Sequence, residues 1–176
     1  LHAFDFDFLA ENRIVVRTAA EGERFVTLDE KERTLGAEML MICDGAQAVG
    51  IGGVMGGPNS EIEDTTTRVL IESACFDPVS VRRTAKALGL NTDASHRFER
   101  GVDYLLAREA MERATRLLMD IVGGEPGEIV EVASDEHLPA SKEITLRAQR
   151  LNDVLGLEID RTTVEEILTR LGLYIE

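Results

Sequence analysis

The chain has 176 residues, of which 44% are hydrophobic, and its formal net charge at pH 7 is −14. This length predicts one domain and part of a second, and the apolar content is sufficient for a sizeable core. The negative charge argues against broad electrostatic binding to nucleic acid, which needs clustered Lys and Arg. No apolar run reaches the roughly 18 residues of a membrane span, and no export signal opens the chain. We therefore expect a cytoplasmic protein without membrane contact.

The first third of the chain is predicted to be β structure. Residues 13–18 contain three consecutive β-branched apolar residues, Ile14, Val15 and Val16, and are predicted to form a strand. Asp44-Gly45 is a hairpin signal between two further apolar segments. These two segments cover residues 39–43 and 47–51. Another two, residues 24–28 and 33–35, flank a polar turn. We predict that all four are strands.

The next segment, residues 50–58, contains five glycines in nine residues. Glycine at this density marks backbone that takes positive φ or lies close to another surface. No Lys-Ser or Lys-Thr pair follows, which disfavours a nucleotide-phosphate loop. We predict a tight loop that forms one wall of a ligand pocket and offers backbone N–H groups.

A predicted strand over residues 67–76 is interrupted by Glu72. A carboxylate inside an apolar strand is costly to bury unless it is paired or hydrogen-bonded. Two interpretations remain open from the residues alone: Glu72 lines a pocket, or it points to solvent from an edge strand.

Two helices are predicted next. Pro78 begins a helix that continues over residues 79–88, and Gly89 ends it. Asp103 caps a longer helix over residues 104–122, whose apolar stripe predicts packing against the core.

The polar run between these helices, residues 89–103, concentrates opposite charges. It is either an ordered structural corner or a working site. We predict a partly buried ionic network among Asp93, Arg97, Glu99, Arg100 and Asp103.

The remainder is predicted to begin a second, small domain. Its helices cover residues 150–155 and 162–171, and Thr162 and Glu165 have the spacing of a capping box. Short strands are predicted at residues 129–132, 144–146 and 173–175. The predicted domain limits are 1–133, a linker at 134–142, and 143–176. Because the last pattern breaks off, we expect this chain to be a fragment of a larger protein.

Cys43 and Cys75 lie in apolar surroundings without a CxxC motif or a His at ligand spacing. They are predicted to be reduced, buried thiols, as is usual in cytosolic proteins.

Four segments of this chain, in this order, resemble the β subunit of bacterial phenylalanyl-tRNA synthetase: residues 1–5, 53–57, 70–74 and 90–103. The resemblance covers essentially the whole chain. It implies an α+β fold, in which an editing domain with a mixed, barrel-like β-sheet and packed helices is followed by a truncated, winged-helix-like helical domain.

The resemblance also implies an activity: hydrolysis of tyrosine wrongly attached to the tRNA for phenylalanine. Aminoacylation in that family takes place in the α subunit. The implied partners are the 3′ end of tRNA-Phe and the α subunit, in an (αβ)2 heterotetramer. The whole enzyme uses ATP and Mg²⁺, but the family's magnesium-linked acidic cluster lies beyond residue 176. We therefore predict no cofactor and no metal for this segment.

The resemblance assigns substrate-binding roles residue by residue. Glu72 matches the pocket carboxylate that accepts a hydrogen bond from the tyrosine phenol. Ala94 matches the pocket floor, where a small side chain leaves room for the ring. Gly56 and Gly57 lie on the glycine-rich wall, whose N–H groups are expected to hold the substrate.

The catalytic candidates implied by the resemblance are His2 and Thr92. His2 matches a histidine near the ester bond, as a base or as a positioning group, and Thr92 belongs to the pocket floor. No Ser–His–Asp arrangement is visible, so the predicted nucleophile is a water molecule held by backbone groups and the terminal ribose hydroxyl.

Two alternatives to editing stay open at this point. In the first alternative, the segment is a non-catalytic module that only bridges tRNA and the α subunit. In the second, it is a free-standing deacylase. The retained Glu72, Thr92, Ala94 and Gly56 argue against a decayed pocket, and the start of a further domain argues for a multidomain subunit.

Overall fold

The computed structural model describes residues 1–140 and 142–176. The chain divides into two compact units, Leu1–Glu131 and Val132–Glu176. The domain limits predicted from the sequence, 1–133, 134–142 and 143–176, stay predictions. Among the described residues, no helix has the length and apolar character needed to cross a membrane.

The first unit contains eight short strands that pair in three antiparallel sheets. In chain order they are β1 (His2–Asp5), β2 (Val15–Thr18), β3 (Arg24–Val26), β4 (Glu32–Thr34), β5 (Leu40–Cys43), β6 (Ala48–Ile51), β7 (Met55–Gly56) and β8 (Val69–Glu72). The largest sheet has the order β2-β5-β6-β7, and the other two consist of β1 with β8 and of β3 with β4.

The apolar content of the central strands explains where the core lies. In β5 and β6 consecutive residues are buried, so both faces of these strands are covered. The most completely buried apolar side chains belong to this core: Phe4, Leu35, Met41, Val49 and Val81. The α+β class is thereby confirmed, with antiparallel rather than mixed pairing in the strand pairs described. The barrel-like and winged-helix-like descriptions stay predictions.

The first helix, α1 (Pro78–Leu88), begins and ends where the sequence predicted. The Asp77 carboxylate accepts a hydrogen bond from the Ser80 amide at 2.6 Å, which satisfies one of the free N–H groups of the first turn. Gly89 ends the helix with φ +65°, a conformation that costs glycine little.

The polar run forms a short helix, α2 (Asp93–Phe98), and not the predicted ionic network. Within residues 89–103 the one ion pair present joins Arg100 to the adjacent Glu99. Asp93 and Arg97 are exposed, because the helical turn directs its polar residues to solvent and only Ser95 is fully buried.

The long helix, α3 (Leu106–Val122), corrects a second prediction. None of its residues is buried, and Leu106 and Ile121 of the predicted core stripe are 52% and 79% exposed. The helix touches β8 near its first turn, where the Ser73 hydroxyl donates to the Ala107 carbonyl at 2.7 Å. Amphipathic spacing shows which face is apolar but not whether the fold covers it.

The second unit contains α4 (Ala148–Leu155) and α5 (Arg161–Arg170). The predicted capping box is wrong, because Asp160 caps α5 by accepting from the Thr163 amide at 3.0 Å. The three strands predicted at residues 129–132, 144–146 and 173–175 are also absent from the described chain. Apolar residues there have high strand propensity but no strand to pair with.

Both cysteines are free thiols, and Cys43 is buried as predicted. Cys75 is exposed, contrary to the prediction, because β8 ends at Glu72 and the chain has left the sheet three residues later.

Candidate functional site

A cavity of about 500 Å³ lies within the first unit. Four parts of the chain supply most of its lining: the ends of β1 and β8, the turn between β3 and β4, the glycine-rich turn between β6 and β7, and the start of α2. Five of the six predicted site residues line it: His2, Gly56, Glu72, Thr92 and Ala94. Most of the remaining lining is apolar and includes Phe4, Leu28, Ile42, Ile51, Val54, Met55 and Phe98.

The pairing of β1 with β8 places the two polar residues of one wall together. His2 lies directly opposite Glu72 in the antiparallel register, and opposite residues project from the same face of a sheet. The imidazole packs edge-on against Phe4, with 4.6 Å between ring centroids. Glu72 therefore faces the cavity and not solvent, which decides between the two interpretations that the residues alone left open.

Burial disfavours the charged form of both side chains. It lowers the pKa of His2 below its usual value of 6.5, so the imidazole is neutral at neutral pH and one ring nitrogen has a free lone pair. Burial raises the pKa of Glu72 above its usual value of 4.5. The wall is therefore polar, but it carries less charge than an exposed His and Glu would.

Gly56 is a glycine because His2 occupies the space beside it. A Cβ at Gly56 would lie 2.9 Å from the imidazole Nε2 and Cε1. Gly57 is different: its Cβ would lie 2.6 Å from the Phe25 ring and 2.8 Å from the Asn59 side-chain oxygen. Gly57 does not line the cavity and serves to pack the turn against the core.

Several N–H groups of the glycine-rich turn are already used within the fold. The amides of Gly52, Val54 and Gly57 each donate to a backbone carbonyl, at 2.9, 3.0 and 2.8 Å. These three amides are therefore not free to hold a substrate, in contrast to the general expectation for this wall.

Thr92 ties the floor of the cavity to the glycine-rich turn. Its hydroxyl donates to the Val54 carbonyl at 2.7 Å and accepts from the Ser95 amide at 3.0 Å. The Ser95 hydroxyl accepts from the Thr92 amide at 3.0 Å, which completes a reciprocal cap at the start of α2. The Thr92 hydroxyl proton is thus committed to a structural bond.

Three residues of this site were missed in the sequence. Ser95 stands at the capping distance from Thr92, so its spacing was the available signal. Asp29 and Asp93 also line the cavity. Asp29 comes from the turn between β3 and β4, and no local signal placed that turn beside α2.

Asp29 and Asp93 differ in their surroundings. Asp29 accepts from the Thr27 hydroxyl at 2.5 Å and forms an ion pair with Arg33 at 2.7 Å. These contacts, the hydroxyl first, lower the pKa of Asp29. Asp93 is exposed and has no side-chain hydrogen bond or ion pair within the described residues.

In the part of the chain that the structure describes, no group of three or more His, Cys, Asp or Glu side chains is placed to hold a metal ion.

Residues 1–123 match the family model described as "B3/4 domain". Phenylalanine–tRNA ligase beta subunits are similar over nearly the whole chain: 52% identity over 177 residues in Pseudomonas fluorescens Pf0-1, 48% over 173 residues in Hahella chejuensis and 48% over 178 residues in Syntrophus aciditrophicus.

These alignments cover 98–99% of this chain but 22% of each relative, so the chain spans about a fifth of the length of the relatives it matches. The resemblance predicted from the four ordered segments is confirmed at this level. The chain belongs to the B3/4 domain family, and its similarity to bacterial phenylalanine–tRNA ligase beta subunits extends over both of its compact units.

Proposed function

We propose that this chain is part of a phenylalanyl-tRNA synthetase β subunit and that its first unit hydrolyses tyrosine esterified to tRNA-Phe. One observation carries the proposal: the Glu72 carboxyl group lies on the wall of an otherwise largely apolar cavity. The similarity to phenylalanine–tRNA ligase beta subunits supports the choice of substrate.

The physical basis is the difference of one hydroxyl between tyrosine and phenylalanine. A pocket built for phenylalanine excludes an analogue with an added hydroxyl only weakly. In a second pocket, the tyrosine phenol donates a hydrogen bond to Glu72. Phenylalanine would leave that carboxyl desolvated and without a donor, which is costly.

Hydrolysis in this cavity requires a water molecule to attack the ester carbonyl carbon. The bond from that carbon to the ribose oxygen then breaks, and the ribose oxygen takes a proton. His2 is the group suited to orient the water or accept its proton, because its imidazole is neutral. Thr92 holds the floor and the glycine-rich turn together, so its contribution is positional.

The partners and cofactors of the whole enzyme belong to the same proposal. The acylated 3′ end of tRNA-Phe enters the cavity, and the α subunit, with ATP and Mg²⁺, carries out aminoacylation. A net charge of −14 is compatible with a unit that meets only the 3′ end of the tRNA while other domains bind its body.

The test is deacylation of tyrosyl- and phenylalanyl-tRNA-Phe by the assembled αβ enzyme, wild type against Glu72→Ala and Glu72→Gln. A hydrogen bond to a charged group contributes about 1.5–3 kcal/mol, or roughly 10- to 150-fold. We expect tyrosine release to fall by about that factor in Glu72→Ala, and the preference for tyrosine over phenylalanine to shrink with it.

Glu125→Gln is the control, since Glu125 is exposed and lies outside the cavity. An unchanged preference ratio in both Glu72 variants would show that another group reads the hydroxyl. If wild-type enzyme releases no tyrosine, the non-catalytic assembly role replaces the editing role.

A further inference from the structure

The charged side chains on the cavity wall are all of one sign. Three carboxyl groups line the cavity: Asp29, Glu72 and Asp93. No Lys or Arg is among the described residues that line it. The cavity therefore favours a positively charged ligand group, which would bind a carboxylate that has no ion pair within the protein.

Two of the three carboxyl groups are already accounted for. Asp29 is held by Arg33 at 2.7 Å and approached by Lys31 at 3.7 Å, so its charge is compensated within the protein. Glu72 lies in the buried wall opposite His2, where the proposed function commits it to the tyrosine phenol. Neither group is therefore free to bind a second polar group of the ligand.

Asp93 remains. It is the first residue of α2, its neighbours Thr92 and Ala94 both line the cavity, and it is exposed with no ion pair among the described residues. The bond from Thr92 to the Val54 carbonyl fixes the backbone beside it. Asp93 is thus a free carboxylate held at a defined place on the rim of the cavity.

We propose that Asp93 binds the α-ammonium group of the esterified amino acid and so restricts the site to aminoacyl esters with a free amine. This inference rests on the proposed editing function and deepens it. An aminoacyl ester with an unmodified amine carries that ammonium group, and Asp93 is the carboxylate among the described lining residues that has no other assigned partner.

Recognition at two points then defines the substrate class. Glu72 reads the far end of the side chain, whereas Asp93 reads the amine next to the ester. An N-acylated amino acid has no positive charge at that position, and its amide would leave Asp93 without a counter-ion. An acid in the first turn of a helix can also stabilise the helix alone, but that role is indifferent to the substrate's amine.

The test compares tyrosyl-tRNA-Phe with N-acetyl-tyrosyl-tRNA-Phe as substrates of the assembled αβ enzyme. The variants are Asp93→Asn, which keeps the shape and removes the charge, and Asp120→Asn, a control at an exposed position on α3. We expect wild type to hydrolyse the N-acetylated ester more slowly. Asp93→Asn should lose roughly 5- to 50-fold on the free-amine ester and little or nothing on the N-acetylated one.

The outcomes separate the inference from the proposed function. Equal losses on both esters, or no loss on either, would overturn the role of Asp93 while leaving editing intact. Wild-type enzyme that releases tyrosine from neither ester would overturn the editing function and the inference with it.

A binding measurement covers the case in which Asp93→Asn is poorly folded. Asp93→Glu keeps the charge, and both variants are compared by calorimetric titration with tyrosinamide and N-acetyl-tyrosinamide. Tighter binding of tyrosinamide by wild type and Asp93→Glu, and its loss in Asp93→Asn, supports the inference. Equal affinities of wild type for the two compounds would contradict it.

Discussion

Thr92 and Val54 are joined by a 2.7 Å hydrogen bond between the threonine hydroxyl and the valine carbonyl. Because Thr92 precedes α2 and Val54 belongs to the glycine-rich turn, this bond sets the distance between two walls of the cavity. Its geometry makes Thr92 a positioning residue, whose effect on the proposed hydrolysis would be transmitted through the shape of the site.

The first prediction follows from that bond. Thr92→Val removes the hydroxyl, leaves the buried Val54 carbonyl without its donor and deprives the Ser95 amide of its acceptor. We expect a loss of about 1–3 kcal/mol in the free energy of unfolding, measured by urea denaturation, and a higher KM for tyrosyl-tRNA. Thr92→Ser keeps the hydroxyl and should restore both. A catalytic hydroxyl would instead lower kcat without changing stability.

The second prediction concerns the volume of the cavity at Ala94. Ala94→Trp should fill the space for the tyrosine ring and reduce tyrosine release by at least 100-fold, which is about 2.7 kcal/mol. Phenylalanylation should persist if it takes place in the α subunit. Ala87→Trp on the exposed side of α1 is the matched control. Wild-type tyrosine release by Ala94→Trp would show that this side chain does not face the substrate.

Gly56 provides a test of His2 that leaves the imidazole in the protein. Gly56→Ala places a methyl group 2.9 Å from the imidazole, and the ring can move away at little cost. We expect a change of less than about 1 kcal/mol in stability but at least a tenfold fall in tyrosine release. Gly127→Ala, with no atom within 4 Å of the new Cβ, should change neither. Full activity in Gly56→Ala would exclude a precise role for His2.

The raised pKa of Glu72 predicts a specific dependence of stability on pH. The folded protein holds the Glu72 proton more tightly than the unfolded chain does. The contribution of this proton to the stability of the fold is therefore fully present below the ordinary pKa of 4.5. It is lost as the pH rises through the pKa that Glu72 has in the folded protein. Glu72→Gln removes this loss, so the variant should be more stable than wild type at pH 7.

The measurement is the unfolding midpoint of wild type and Glu72→Gln between pH 4 and pH 8. The difference between the two proteins should shrink to nothing at the acidic end. A difference that stays constant across this range would mean that Glu72 ionises in the fold as it does in water.

Local signals in the sequence were sufficient for part of this structure. Strands β2, β5 and β6 and helix α1 follow from apolar segments bounded by glycine, proline and the Asp44-Gly45 turn, and β3 and β4 follow from the polar turn between them. The carboxylate of Glu72 in an apolar strand marked it as informative, but its place in a pocket was predicted only from the family resemblance. These features depend on neighbours within a few residues.

The rest depends on contacts between distant parts of the chain. The pairing of β1 with β8 makes Glu72 face His2, and no local pattern encodes that register. The exposure of α3 depends in the same way on which surfaces the fold covers. The apolar segments 129–132, 144–146 and 173–175 were predicted as strands, but within the described residues the fold brings no partner strand beside them. Asp29 was missed for the same reason, because the turn that carries it meets α2 only in the folded chain. Asp93 lies between two predicted floor residues but was assigned to the ionic network instead.

The same β1–β8 pairing has a consequence for folding. His2 and Glu72 meet only after the whole chain between them has closed into a loop, and closing a long loop carries an entropic cost that local hairpins avoid. Contacts of such large sequence separation slow folding. The hairpins β3–β4 and β5–β6 can form early from neighbouring residues, whereas the wall that holds His2 and Glu72 is completed late. Binding of tyrosinamide during refolding would therefore lag behind the recovery of β-sheet circular dichroism.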